Sequence, residues 1–162
     1  DAVSSYRPIQ LTSVLSKIFE KILVKRLHVQ LSDHNMLPLH QAGFRPGISI
    51  NDQMLRLLGH ITNQLNSIKP ACLLLFDLEK AFDKVWLLGL IFKLYQLRLP
   101  ISYIRYVYHF LANRISYVSI KGTLSYPILL HTGVPQGSAL SPILYLLYVA
   151  DLATLPNDVT TF

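Results

Sequence analysis

The chain has 162 residues, the size of one ordinary domain. At 51% hydrophobic and 15% charged it carries enough apolar material for a core, which excludes a disordered segment. No apolar run reaches the roughly 18 to 20 residues of a membrane span, and the best candidate, 143–155, contains Asp151 and reads as a buried helix.

The net charge of +6 favours a polyanionic partner, nucleic acid or a membrane surface, although many unrelated proteins are mildly basic. Nothing resembles a signal peptide. Asp1 is not a start methionine, so the N-terminus reads as cut. The single cysteine, Cys72, lies in an apolar run and is expected to be a small buried hydrophobe. The six histidines are scattered, and no Cys/His cluster has zinc-ligand spacing.

In chain order, Thr12 or Ser13 caps a helix expected to run to about Ser32, with Leu15, Phe19, Leu23 and Leu27 at helical spacing, as are Ile18 and Ile22. Lys17, Lys21 and Lys25 form an i, i+4 stripe on it, either a solvated face or a basic ridge beside a nucleic-acid backbone. A turn-rich stretch with Pro38, Gly43, Pro46 and Gly47 follows. A second helix to about Asn66 is expected to bury Met54, Leu57, Leu58, Ile61 and Leu65. Ala71 to Phe76 is continuously apolar, as expected of a central strand buried on both faces, and runs directly into Asp77. Helices are expected over about Lys84 to Arg98 and Ser102 to Asn113, separated by Pro100. Ile115 to Ile120 alternates and Tyr126 to Leu130 is apolar, with Lys121-Gly122-Thr123 as a hairpin turn between them. A Gly/Pro loop from Gly133 leads to a helix from Pro142 to about Ala153, with Ser141 as N-cap. This order predicts an α+β domain with an antiparallel sheet.

Two segments carry chemistry. In Leu75-Phe76-Asp77-Leu78-Glu79-Lys80-Ala81-Phe82-Asp83-Lys84-Val85, a carboxylate ends a buried strand, which is costly unless something pairs with it. A divalent cation is the usual partner when such a site opens to solvent, and an aspartate capping the next turn is the alternative. In Gly133-Val134-Pro135-Gln136-Gly137-Ser138-Ala139-Leu140-Ser141-Pro142, glycines let the backbone approach a ligand, and the loop feeds a helix N-terminus. Gln136 can hydrogen-bond a base or sugar edge; a plain hairpin-to-helix connection is the alternative.

Together these segments resemble motifs A and B of reverse transcriptases, in the form typical of non-LTR, jockey-like retrotransposons. Tyr6-Arg7-Pro8-Ile9-Gln10-Leu11 and Gln41-Ala42-Gly43-Phe44-Arg45-Pro46 resemble two further motifs of that family, in the family's order, so that the resemblance spans essentially the whole chain. Gln10 stands where Ser is common, and Ile50 where many members have Thr.

The resemblance implies a right-hand polymerase fold: residues 1–70 mainly fingers, 71–162 mainly palm, thumb absent. It implies RNA-directed DNA synthesis, with dNTPs added to a primer 3′-hydroxyl by two-metal phosphoryl transfer using Mg²⁺, on an RNA template and a DNA primer or target. The setting would be intracellular, with no membrane partner. Asp77 matches the first catalytic metal ligand, and the carbonyl of Leu78 would be a second contact to metal. Phe82 matches the aromatic gate that excludes a ribose 2′-hydroxyl, which argues against an RNA-dependent RNA polymerase. Asp83 is read as structural. Arg7 matches a residue gripping the incoming triphosphate, Arg45 would touch template or the same phosphates, and Gln136 and Gly137 match the loop beside the incoming nucleotide and template. The family's Ala-Asp-Asp hairpin is missing; Val159-Thr160-Thr161-Phe162 looks like its lead-in, and Asp151 and Asp158 are poor substitutes. The 162-residue chain by itself is therefore expected to extend no primer. The alternative is a decayed, non-catalytic relic that at most binds nucleic acid.

Overall fold

The computed structural model describes residues 9–33, 36–37 and 41–153. It is a mixed helix and sheet structure, as the order of patterns predicts. Helix α1 spans Val14–Asp33, α2 Ile50–Asn66, α3 Leu87–Gln96, α4 Ile101–Leu111 and α5 Ser141–Val149, with a single 3₁₀ turn over Ala150–Ala153. Between α4 and α5 lie β1 (Arg114–Ser116), β2 (Ser119–Ile120), β3 (Thr123–Leu124) and β4 (Ile128–Leu130).

Local chemistry sets most boundaries. Ser13 Oγ accepts from the Ser16 amide at 3.2 Å and starts α1. Ser49 and Asp52 cap α2 reciprocally, the Asp52 amide donating to Ser49 Oγ at 3.3 Å and the Ser49 amide donating to Asp52 Oδ2 at 2.7 Å. Pro100 separates α3 from α4. Lys121 and Gly122 take φ values of 47° and 83°, the left-handed pair that a two-residue hairpin turn needs, and join β2 to β3 in antiparallel register. Outside that hairpin β1 pairs with β4, Ile115 opposite Leu129.

The core lies among α3, α4, α5 and the C-terminal half of α1. Leu27, Leu31, Leu90, Leu94, Ile104, Val107, Leu111, Leu144 and Leu147 are all buried there. Helix α5 is apolar nearly all round and is buried on most of its circumference. At its C-terminal end Lys93 of α3 ties it down, donating to the Tyr148 carbonyl and pairing with Asp151, just past the helix, at 2.6 Å.

Several expectations are corrected. Ala71–Phe76 forms no strand: residues 71–80 are all exposed, Phe76 at 90%, and the only ladders among the described residues are β1–β4 and β2–β3. A two-sided apolar run encodes burial, but a strand needs partner backbones on its edges, and the described residues supply none. Cys72, on that run, is exposed for the same reason. Helix α2 forms where expected yet buries nothing fully; Met54, Leu58 and Leu65 are half or more exposed, and Leu57 and Ile61 are half-buried. On α1, Leu15, Ile18, Phe19 and Ile22 are largely exposed, while the inward face carries Glu20, Leu27 and Leu31. Helix α3 starts at Leu87 instead of Lys84, because a tight turn with Asp83 and Lys84 amides donating to the Lys80 carbonyl precedes it. The N-cap of α5 is Leu140, so Ser141 is its first residue and caps nothing.

Candidate active site

The site forms where three segments distant in sequence meet. The turn after Asp77 and the loop before α5 are laced together through their backbones. The Gly133 amide donates to the Val85 carbonyl and the Val134 amide to the Phe82 carbonyl, both at 2.8 Å, and Thr132 Oγ1 donates to the Asp83 carbonyl at 3.1 Å. Arg114, at the start of β1, braces the same loop by donating to the Thr132 carbonyl at 2.9 Å and to that of Gly133. Burial holds its pKa below the usual arginine value, the Asp83 charge works the other way, and the guanidinium stays charged at neutral pH.

Gly133 is required by this lacing. It has φ +84°, and a Cβ there would lie 2.7 Å from the Asp83 carbonyl oxygen, a backbone atom that cannot swing away. Gly133→Ala is expected to lower stability by about 2 kcal/mol or more. Gly122→Ala in the open hairpin turn, with φ +83° but nothing within 4 Å, should cost about half that. Urea unfolding of both variants checks this; equal losses would mean the clash with Asp83 is relieved.

The third segment is the N-terminal stretch. The Gln10 amide donates to the Gln136 carbonyl at 2.8 Å, and a Cβ on Gly137 would lie 3.0 Å from the Gln10 carbonyl oxygen. Gln136 is half-buried, and its side chain donates from Nε2 to Asp83 Oδ1 at 2.8 Å. Asp83 therefore has a protein partner across the site. Arg7 lies outside the described residues.

Phe82 is half-buried in an aromatic group. Its ring stacks on Tyr145 of α5, centroids 4.9 Å apart and planes 23° apart, and meets Phe44 edge-on at 6.1 Å. Phe44 reaches it from a left-handed backbone at φ 57°. Burial pushes the Tyr145 hydroxyl above its usual pKa, and the nearby Asp77 charge pushes it further. Tyr145 thus backs the Phe82 ring. Sequence reasoning passed over it, since in the run Ile143 to Tyr148 it looks like one more core aromatic. Asp77 and Leu78 are exposed, so the desolvation penalty expected to demand a partner for Asp77 does not arise. Arg45 is half-buried and donates to the Gln41 carbonyl at 3.4 Å, within its own turn.

Glu20 is the other residue that the sequence hid. It is fully buried, and its Oε2 accepts from Ser138 Oγ at 2.7 Å and the Ala139 amide at 2.8 Å. Between Lys17 and Lys21 it looks like a partner in a solvated helical ion pair.

Residues 1–160 match the family model for reverse transcriptase (RNA-dependent DNA polymerase). This chain belongs to the reverse transcriptase family. Its relatives are polymerases of non-LTR mobile elements. It is 38% identical over 94% of its length to a probable RNA-directed DNA polymerase from transposon BS of Drosophila melanogaster. It is 34% identical, again over 94%, to the RNA-directed DNA polymerase from mobile element jockey of the same organism. The matches cover 17% and 16% of those relatives' own lengths. The reverse transcriptase match includes both laced segments and the Gln41–Pro46 turn, so the contacts among Gln10, Phe44, Phe82, Asp83 and Gln136 all lie inside it.

Proposed function

We propose that this chain is the nucleotide-binding part of an RNA-directed DNA polymerase of a mobile element, which adds dNTPs to a primer 3′-hydroxyl by metal-assisted phosphoryl transfer. Residues 1–70 are mainly fingers and 71–162 mainly palm of a right-hand polymerase. The observation that carries this reading is the lacing of the Asp77–Val85 turn to the Gly133–Leu140 loop around Phe82 and Tyr145. It gathers one aromatic wall and one glycine-containing loop next to the exposed stretch that carries Asp77.

Each part has a role. Asp77 and the Leu78 carbonyl are hard oxygen donors on an exposed stretch, the donor type Mg²⁺ takes. Among the described residues no group of three or more His, Cys, Asp or Glu could hold a metal. Two donors suit an ion that completes its shell with water and substrate phosphates. Bound there, the ion would activate the primer hydroxyl and offset charge on the attacked phosphate. Phe82, held by Tyr145, walls off the space of a 2′-hydroxyl. Gln136 and Gly137 lie beside the incoming nucleotide and template, Arg7 grips the triphosphate, and Arg45 contacts the template or the same phosphates. Asp83 is structural, fixing Gln136. The template is RNA and the primer DNA, in an intracellular setting; no described helix is long and apolar enough to cross a membrane.

Primer extension on poly(rA)/oligo(dT) with dTTP and Mg²⁺, using the full-length natural protein, tests the reading. Incorporation abolished by a chelator supports it. Nucleic-acid binding without incorporation would replace it with the binding-only relic.

The exposed stripe Lys17, Lys21 and Lys25 and the +6 charge predict weak, sequence-independent binding to single-stranded nucleic acid. Fluorescence anisotropy should show affinity falling at least about tenfold between roughly 50 and 200 mM salt. Replacing the three lysines by Gln should reduce the log–log salt slope by about 2. A flat salt response would remove the electrostatic mode.

A further inference from the structure

We propose that Glu20 is a positioning residue that sets the nucleotide-facing loop Gly133–Leu140 from the helix α1 side; this rests on the polymerase reading above. A fully buried carboxylate is costly unless its oxygens are well supplied with donors. Here Oε2 accepts from Ser138 Oγ at 2.7 Å, from the Ala139 amide at 2.8 Å and, more weakly, from the Leu140 amide at 3.4 Å. Oε1 accepts from Ser16 Oγ, one turn earlier on α1, at 3.0 Å. Helix α5 has no side-chain cap at its own N-cap residue. The negative charge of Glu20 sits where that helix presents amides that lack partners within the helix and the positive end of its dipole. Ser138 Oγ relays the contact, accepting from the Leu140 and Ser141 amides at 3.1 and 3.3 Å.

The loop is thereby pinned at both ends by residues far away in sequence. Asp83 and its neighbours hold the part from Gly133 to Gln136. Glu20, 118 residues before Ser138, holds the part from Ser138 to Leu140. Gln136 and Gly137 lie between the two anchors, and the Gln10 amide touches the Gln136 carbonyl there. Without Glu20 one anchor goes, and buried donors are left unpaired on the loop that the reading places against the nucleotide. Glu20 does not touch substrate; it acts through Ser138 and Ala139.

The test is single-nucleotide incorporation by the full-length natural protein, with dTTP and template–primer varied separately. Glu20→Ala should raise KM for dTTP about tenfold while leaving KM for template–primer within about twofold. Glu20→Gln keeps one acceptor oxygen for Ser138 and Ala139 and should recover most of that loss. Alongside, amide hydrogen exchange in the 162-residue chain should show Ala139 and Leu140 exchanging at least about tenfold faster in Glu20→Gln than in wild type, because the charge that holds them is gone. Variants that lower kcat with KM for dTTP unchanged, or a Glu20→Gln protein no better than Glu20→Ala, would overturn the proposal and leave Glu20 a packing residue. If Glu20→Ala does not fold, the exchange rates of Ala139 and Leu140 in Glu20→Gln decide. A wild-type protein without incorporation overturns the polymerase reading instead, and the exchange rates alone then decide whether Glu20 holds the loop.

Discussion

Asp77→Asn in the full-length natural protein is expected to lower kcat/KM for nucleotide incorporation by about a thousandfold, the equivalent of about 4 kcal/mol. The substitution keeps size and shape and removes the charge that a divalent cation needs. Asp77 is exposed and its stretch makes no ladder contact among the described residues, so the fold should not suffer. Asp83→Asn supplies the contrast. It is the rival carboxylate of the same motif, but its side chain accepts from Gln136 at 2.8 Å, and an asparagine oxygen can accept the same hydrogen bond. Its loss should stay within about tenfold. Single-turnover incorporation with both variants separates the roles. Comparable losses, or a greater loss for Asp83→Asn, would mean that the metal carboxylate has been assigned to the wrong aspartate.

Phe82→Ala should shift sugar selection, with the ratio of kcat/KM for dNTP over rNTP falling at least about tenfold. A ring fixed on two sides can exclude a hydroxyl because it cannot move aside. Phe82 is fixed in this way, stacked on Tyr145 at 4.9 Å and met edge-on by Phe44. Removing it should relieve the clash while leaving Asp77 in place, so incorporation of dNTP should fall less than discrimination. Tyr145→Leu should give an intermediate loss of discrimination, since the Phe82 ring remains but its backing does not. Tyr145→Phe keeps the stack and should leave discrimination near wild type. An unchanged ratio in a folded Phe82→Ala protein would make Phe82 an ordinary core aromatic. An unchanged ratio in Tyr145→Leu alone would mean that Phe44 suffices to hold the ring.

The sequence by itself determined what depends on near neighbours. Caps, prolines and turn residues act within a few positions, so Ser13, Pro100 and Lys121-Gly122 placed helix starts and a hairpin that the structure contains. Motif spelling likewise made Asp77, Phe82 and Gln136 the candidates, because a family resemblance is carried by residue type and spacing along the chain. Only the tertiary structure decided what depends on partners. Apolar periodicity in α2 and at Ala71–Phe76 states that a face wants cover, not which surface covers it, and there the expected burial does not occur. The pairing of Asp83 with Gln136 and of Phe82 with Tyr145 joins residues more than fifty positions apart, which no local pattern records. Glu20 is the sharpest case. Its neighbours Lys17 and Lys21 make it read as a solvated charge, yet it is buried, because the donors of Ser138 and Ala139 reach it only once α1 and α5 have packed.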